Sequence, residues 1–176
     1  MKMIKLMLAL CIFSGSAAAY ECKTSVIAET TNQAYFLSNG DGTVTDLRFG
    51  LQWQICSWGQ TYDNTDGSCK GEPKQASTWA DAIATQDEIN RIKPGNNDDW
   101  RLPNIKELQS IVERQCRQPA IKLSIFKGTA NGVYWSNTPD DGINPSLKGR
   151  IIDFSDGTER LRATNTSRFV RHVRKL

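Results

Sequence analysis

The chain has 176 residues, 39% of them hydrophobic, with 22 basic and 19 acidic side chains. This length suits one domain with one core. A net charge of +3 does not indicate a nucleic-acid partner, and the longest apolar run is too short to cross a membrane as a helix.

The first 19 residues have the organisation of a secretory signal peptide. Lys2 and Lys5 provide a basic start, residues 6–13 an apolar centre, and the alanines at 17–19 a cleavage site of small residues. We therefore expect a bacterial protein exported to the periplasm, the cell surface or the medium, in which residues 20–176 form a single domain. Without the two lysines the net charge falls to +1.

Cys11 raises the alternative of a lipoprotein signal. Leu10 precedes it, where such a signal has a small residue, and the apolar run continues past the cysteine. A cleaved signal peptide is therefore the preferred interpretation.

Four cysteines remain after cleavage: Cys22, Cys56, Cys69 and Cys116. An even number in an exported chain favours two disulfides, and three pairings are possible. We favour Cys56–Cys69, which closes a polar loop, together with Cys22–Cys116, which holds the N-terminal segment at the end of the second predicted helix. A zinc site is the competing interpretation, but the chain has one histidine and no CxxC spacing.

The first half of the domain begins with strands and continues into a helix. Residues 43–46 and 51–55 have the pattern of two short strands around a turn. Thr78, or Ser77, is placed to cap a helix that ends before Pro94.

A second helix is predicted from Asn104 to Gln115. Glu107 follows Asn104 by three residues, so each side chain can accept a hydrogen bond from the other's amide in a capping box. Pro103 lies just outside the helix, where it restricts the direction from which the chain enters.

From residue 133 the pattern changes to strands. Residues 134–136 form a short strand, and residues 149–154 and 158–162 form a hairpin around Asp156-Gly157. A last strand covers residues 168–174. Helices in the first half and a strand meander in the second predict an α+β domain.

Blocks in a fixed order resemble the bacterial Lcl C-terminal domain family, a domain of unknown function. The resemblance implies a C-type-lectin-like fold: an α+β domain in which two helices flank a small twisted antiparallel sheet, stapled by disulfides. The blocks are residues 40–46 with 50–53, 78–82, 98–108, 134–138, 154–157 and 170–174.

The sequence offers little for catalysis. His172 is the single histidine, and alternation in the last predicted strand puts it on one face with Val170 and Arg174, which is typical of a packed or an edge-strand side chain. The acid pairs Asp98/Asp99 and Asp140/Asp141 lie in predicted loops, where acids are usually solvated. We expect no enzymatic activity and no cofactor.

Calcium is a possibility that the resemblance raises. The tripeptides with which C-type lectins bind calcium are absent, but Asn137, Asp140, Asp141 and Asn144 carry oxygens of the type that calcium prefers. Residues 63–67 have a similar composition. Both segments are also ordinary turn sequences, and we expect no metal.

Arginines concentrate near the C-terminal end and are candidates for binding an anionic ligand. Alternation puts Arg160 and Arg162 on one face of their strand, and the same spacing pairs Arg168 with Arg174. The alternative is a solvated sheet face whose arginines pair with the acids of the same hairpin.

Trp58 and Tyr62 are the other candidate ligand-binding residues. Trp58 follows Cys56 within the predicted disulfide loop, so we expect it to be the exposed tryptophan and to contact a sugar or a protein partner together with Tyr62. The remaining tryptophans are assigned to the core: Trp53, Trp79, Trp100 and Trp135.

These features predict an exported, non-enzymatic domain that binds a glycan or a protein at the cell envelope or surface. A structural or adaptor component of an envelope or pilus assembly is the second interpretation. An enzyme of unrecognised type is the third.

Overall fold

The computed structural model describes residues 19–140 and 148–176. The expected signal peptide therefore lies outside the described residues, apart from Ala19. No helix in the described part is both long and apolar enough to cross a membrane.

The described residues form thirteen short strands and two α-helices, with 3₁₀ turns at Gln33–Tyr35 and Pro94–Asn96. The helices are α1 (Trp79–Ile92) and α2 (Ile105–Ser110). The strands are β1 (Glu21–Cys22), β2 (Phe36–Ser38), β3 (Thr43–Asp46), β4 (Leu51–Gln54), β5 (Thr61–Asp63), β6 (Ser68–Lys70), β7 (Gln75–Ala76), β8 (Cys116–Arg117), β9 (Val133–Pro139), β10 (Lys148–Asp153), β11 (Thr158–Ala163), β12 (Arg168–Phe169) and β13 (Val173–Lys175).

These strands form four sheets. One has the order β11-β10-β9-β12-β7 and another the order β13-β4-β3-β2, while β1 pairs with β8 and β5 with β6. All pairs are antiparallel except β9 with β12. The two larger sheets contain most of the strands.

The predicted α+β, C-type-lectin-like fold is wrong. The described residues are mostly β-structure, and the two helices do not flank a small sheet. Helix α1 packs on β7 and β9, and α2 packs on β9 and β10. Several strands have only two or three residues, too few for alternation to reveal them in the sequence.

The predicted helix starts are confirmed. Thr78 Oγ1 accepts a hydrogen bond from the Asp81 amide at 3.1 Å. The capping box of α2 has both of its bonds, at 2.9 Å to the Glu107 amide and 2.8 Å to the Asn104 amide. Helix α2 nevertheless ends at Ser110, five residues earlier than predicted.

The predicted strands are confirmed at β3, β4 and the β10–β11 hairpin. The single last strand over residues 168–174 is wrong, because β12 belongs to the five-stranded sheet and β13 to the four-stranded one. Residues 170–172, which connect the two strands, and Val173, the first residue of β13, are all buried. We call residues 170–172 the crossover, since they carry the chain from one sheet to the other.

The apolar core has a larger and a smaller cluster. Neighbouring residues of β9 and β10 enter different clusters: Tyr134 and Ile152 the larger one, Trp135 and Ile151 the smaller one. Of the tryptophans assigned to the core, three are completely or almost completely buried and Trp79 is half-buried. Its indole donates to the Ser136 carbonyl at 2.7 Å.

The structure contains the two disulfides that the sequence favours, Cys22–Cys116 and Cys56–Cys69. The first holds the N-terminal segment, which Glu113 also binds. The buried Glu113 carboxylate accepts hydrogen bonds from the amides and hydroxyls of Thr30 and Thr31.

The environment of Glu113 makes its charge a source of stability. Burial raises the pKa of this carboxyl, but hydrogen bonds from Gln115, Thr31 and Thr30 outweigh burial and lower the pKa to about 2. The stabilisation is therefore present above pH 4.5 and is lost as the pH falls towards 2.

Arg171, in the crossover, is completely buried. Its guanidinium donates to the carbonyls of Gln54, at 2.7 Å, and Ile55, and to the hydroxyls of Thr129, at 2.7 Å, and Ser57, at 3.3 Å. Burial lowers the pKa of Arg171 to about 10, so it remains charged at neutral pH. None of the ion pairs among the described residues involves it.

Replacing Arg171 with Met should lower the free energy of unfolding by roughly 3 kcal/mol, because buried carbonyl and hydroxyl groups would lose their donor. Urea denaturation measures the change. Arg114→Met, at an exposed position, is the matched control and should shift stability by less than about 0.5 kcal/mol. An Arg171→Met variant as stable as the parent would contradict the structural role of the Arg171 cation.

Candidate functional site

The candidate arginines do not form one surface. Arg160 and Arg162 share a face of β11, opposite Ile151 and Gly149 of β10. Arg168 and Arg174 lie in different sheets, so their predicted shared face is wrong.

Acids in the neighbourhood compensate part of this charge. Arg160 lies 2.6 Å from the Asp156 carboxylate and 3.7 Å from that of Asp153, and Arg174 pairs with Asp99. Arg162 and Arg168 each donate to a main-chain carbonyl. This arrangement favours the solvated, locally paired interpretation over an anion site.

The candidate calcium ligands are not assembled in the described part of the chain. Asn137 and Asp140 lie at the end of β9, whereas Asp141 and Asn144 lie outside the described residues. Asp63 and Asp66 instead accept hydrogen bonds from their own turns. No group of three potential metal ligands occurs among the residues described.

His172 is buried away from solvent and does not face a cleft. Thr85 of α1 donates its hydroxyl proton to the Ala82 carbonyl at 2.7 Å. The same hydroxyl oxygen lies 2.8 Å from His172 Nε2, so we assign the imidazole proton to Nε2 as the donor. Burial, with the nearby Arg171 charge, lowers the pKa of His172 to about 3. A neutral, enclosed imidazole of this kind serves to join α1 to the crossover.

Trp58 and Tyr62 line one groove. It lies between the C-terminal half of α1 and the loop closed by Cys56–Cys69, and consists of two adjoining compartments of about 240 and 230 Å³. Trp58 lines the first compartment and Tyr62 the second. We call this the α1 groove; both compartments share Gln54, Gln60, Thr61, Ile89 and Ile92.

Trp58 is half-buried, so the prediction that it is an exposed tryptophan is wrong. Its ring packs against the smaller core cluster, and its indole donates to Glu88 of α1 at 2.9 Å. The ammonium of Lys74 lies 5.9 Å from the ring centroid. These contacts hold the ring edge at the groove and leave only part of its surface to a ligand.

The loop wall of the groove is held by main-chain and amide hydrogen bonds. Gln60 accepts from the Ser57 amide at 3.1 Å and donates to the Gly71 carbonyl at 3.2 Å. Gly42 allows Tyr62 to approach, because a Cβ at this position would lie 2.8 Å from that of Tyr62. The groove is therefore preformed on this side.

Gln54 lies in the middle of the groove, where it lines both compartments. Its side-chain nitrogen is shielded from solvent and has no hydrogen-bond partner among the described residues. A buried amide without a partner costs roughly 1–3 kcal/mol. A rotation of this side chain towards a ligand would recover part of that cost.

Sequence reasoning found the two aromatic residues of the groove but not Gln54, Glu88 or Ile92. The Ile92 side chain is 65% exposed although it is aliphatic, which is unusual for the last turn of a packed helix. The recurrence of isoleucine at 89 and 92 is the one signal in the sequence for this wall.

A larger cleft of about 460 Å³ lies at the start of α1, and Trp79, Pro139 and Lys148 are among the described residues that line it. Asp140, a candidate calcium ligand, also lines it, whereas the candidate arginines, Trp58 and Tyr62 do not. Its neighbours at 141–147 are outside the described part of the chain, and we assign no function to this cleft.

Comparison with known proteins identifies the family. Residues 42–174 match the Lcl C-terminal domain over most of the chain. The chain belongs to the Lcl C-terminal domain family. This confirms the family predicted from the sequence blocks, although the fold expected from that resemblance is wrong.

Two sequences of the major fimbrium tip subunit FimD of Porphyromonas gingivalis are also similar to the chain. Each is 28% identical over 101 residues, which cover 56% of this chain and 14% of the relative. This Lcl C-terminal domain therefore spans a small part of those proteins. The family and the similarity fit an extracellular role in adhesion or in a pilus.

The buried His172 should make stability depend on pH in a range where few other groups titrate. The unfolded chain binds a proton below pH 6.5 and the folded chain does not, so stability should fall by about 2 kcal/mol between pH 6.5 and 4.5. Urea denaturation at several pH values measures the loss. In His172→Gln the dependence over this range should largely disappear, and an unchanged slope would contradict the assignment.

Proposed function

We propose that this Lcl C-terminal domain is an exported, non-enzymatic recognition domain that binds a surface glycan in the α1 groove. The observation that carries the proposal is the unpartnered Gln54 amide between two aromatic side chains. Trp58 and Tyr62 provide apolar ring surface at opposite ends, and a rotation of the Gln54 side chain would bring its shielded amide nitrogen to a ligand between them.

The chemistry of the groove suits a neutral sugar chain. Sugar rings present apolar C–H faces to aromatic rings and hydroxyls to amides, and the groove has both kinds of surface. Its charged residues already have partners: Glu88 accepts from Trp58, Lys74 lies over the Trp58 ring, and Asp41 accepts from Thr43 at 3.0 Å. An ionic ligand would have to displace these contacts.

The dimensions support an extended ligand. Together the two compartments reach the lower end of the roughly 300–1,000 Å³ that ligand sites occupy. Because they adjoin along five shared residues, we propose that successive units of one chain occupy them.

A structural or adaptor role in a fimbrial assembly is the second candidate. The similarity to a fimbrium tip subunit favours it. In this role the groove would still bind a ligand, while another surface would join the domain to the assembly.

Ile92→Asp should reduce glycan binding at least tenfold, because it puts a charge on the wall shared by both compartments. A glycan array identifies the ligand of the parent protein, and titration with that glycan compares the variants. Gln54→Leu should weaken binding while leaving the melting temperature unchanged or higher, since it removes an unpaired buried amide.

Leu161→Asp is the matched control, an exposed aliphatic side chain on β11 away from the groove. It should bind as the parent does. A parent protein that binds no glycan on the array, or a folded Ile92→Asp variant that binds normally, would overturn the proposal.

A further inference from the structure

Four large apolar side chains are exposed together around β2 and the turn after β3. Tyr35, Leu37, Leu47 and Phe49 have between 49% and 58% of their surface exposed. The Leu47 amide donates to the Tyr35 carbonyl at 2.9 Å, and Leu37 pairs with Thr45, so the first three side chains project on one side of the β2–β3 pair. Exposed apolar groups in one patch mark interaction surfaces more often than scattered ones do.

The patch has no uncompensated charge of its own. Arg48 lies near both aromatic residues of the patch, 5.8 Å from the Tyr35 ring centroid and 5.1 Å from that of Phe49. The Arg48 guanidinium donates to both carboxylate oxygens of Asp46, at 3.0 and 2.8 Å. A charged membrane surface or an anionic polymer therefore has nothing here to recognise.

Strand β2 also has one free main-chain edge. It is the last strand of its sheet and, among the described strands, pairs with β3 alone. Hydrogen bonds at Tyr35–Leu47 and Asn39–Thr43 set the alternation of the pair, so the main chain of Ser38 points away from β3. An outward N–H and C=O of this kind are the groups to which another strand adds.

A cleft of about 110 Å³ lies beside the same edge, between β2 and residues 124–127. Phe36 and Ser38 line one wall. Buried apolar residues line it as well, namely Val44, Ile55 and Ile125, and Tyr62 and Lys127 are also part of the lining. The cleft has room for about one aliphatic side chain.

We infer that the β2 edge binds an extended strand of another protein subunit, with an aliphatic side chain in the cleft and the next apolar side chains against Leu37 and Tyr35. Only a polypeptide combines main-chain hydrogen bonds with side chains that alternate between two faces. The cleft shares Tyr62 with the second compartment of the α1 groove, but Leu37 and Ser38 line neither compartment, so the inference does not depend on glycan binding.

The probe for the test is a fluorescent decapeptide with a lysine at each end, two threonines inside each lysine and four consecutive valines at the centre, so that valine side chains face both the cleft and the patch. It should bind the parent protein and slow hydrogen exchange at the Ser38 amide. Ser38→Pro should weaken binding at least tenfold, because it removes the outward N–H at an edge position that tolerates proline. Leu37→Lys should do the same through the patch, and it decides the matter if the proline variant does not fold.

Two variants serve as controls. Ile92→Asp, in the α1 groove, and Leu161→Lys, on the edge strand of the other large sheet, should bind the peptide as the parent does. The inference is overturned if the parent does not bind the peptide, or if exchange slows elsewhere and not at Ser38. It is also overturned if sedimentation velocity finds a dimer that Leu37→Lys abolishes, since the occupant would then be a second copy of this chain.

Discussion

The hydrogen bonds of the buried Arg171 guanidinium are the interaction on which the junction between the two larger sheets depends. It joins the end of β4, through the carbonyls of Gln54 and Ile55, to the hydroxyls of Ser57 and Thr129. The dipoles of these carbonyls and hydroxyls stabilise the charge of Arg171. None of the described ion pairs gives it a carboxylate partner. A cation held in this way is sensitive to geometry, because every acceptor that moves away leaves part of the charge unsolvated. The crossover and the end of β4 therefore keep a fixed relative position.

The same crossover anchors both walls of the α1 groove. The Val170 carbonyl accepts from the Trp58 amide at 2.9 Å, which fixes the loop wall. The His172 side chain bonds to Thr85 of α1, and the His172 carbonyl accepts from the main-chain N–H of Gln54 at 3.2 Å. Val170 and His172 thus position Trp58, the main chain of Gln54 and helix α1, which together form the groove. A recognition site on loop and helix surfaces gains from such a rigid support.

Local features of this chain could be predicted because their signals are local. The caps at Thr78 and Asn104 depend on residues three positions apart, and the β10–β11 hairpin depends on one Asp-Gly pair. The crossover could not be predicted, because residues 170–173 are buried on all sides and show no alternation. The groove was half predictable: an aromatic in a disulfide loop is visible in the sequence, whereas the partner wall on α1 is distant along the chain. The overall fold was predicted wrongly for two reasons: the pattern does not reveal strands of two or three residues, and the resemblance carries the family but not the arrangement of its sheets.

The Cys22–Cys116 disulfide has a mechanical consequence. It joins residues 94 positions apart, and β8 continues directly from Cys116. Tension applied between the segment before Cys22 and strand β13 would pass through the sulfur atoms and then along residues 117–173. Residues 23–115, which include α1, the Cys56–Cys69 loop and β2, would be left out of the covalent load path. Strand β2 and the Cys56–Cys69 loop would then carry no covalent tension, and a pulling force would reach the groove only through the crossover, which lies on the load path.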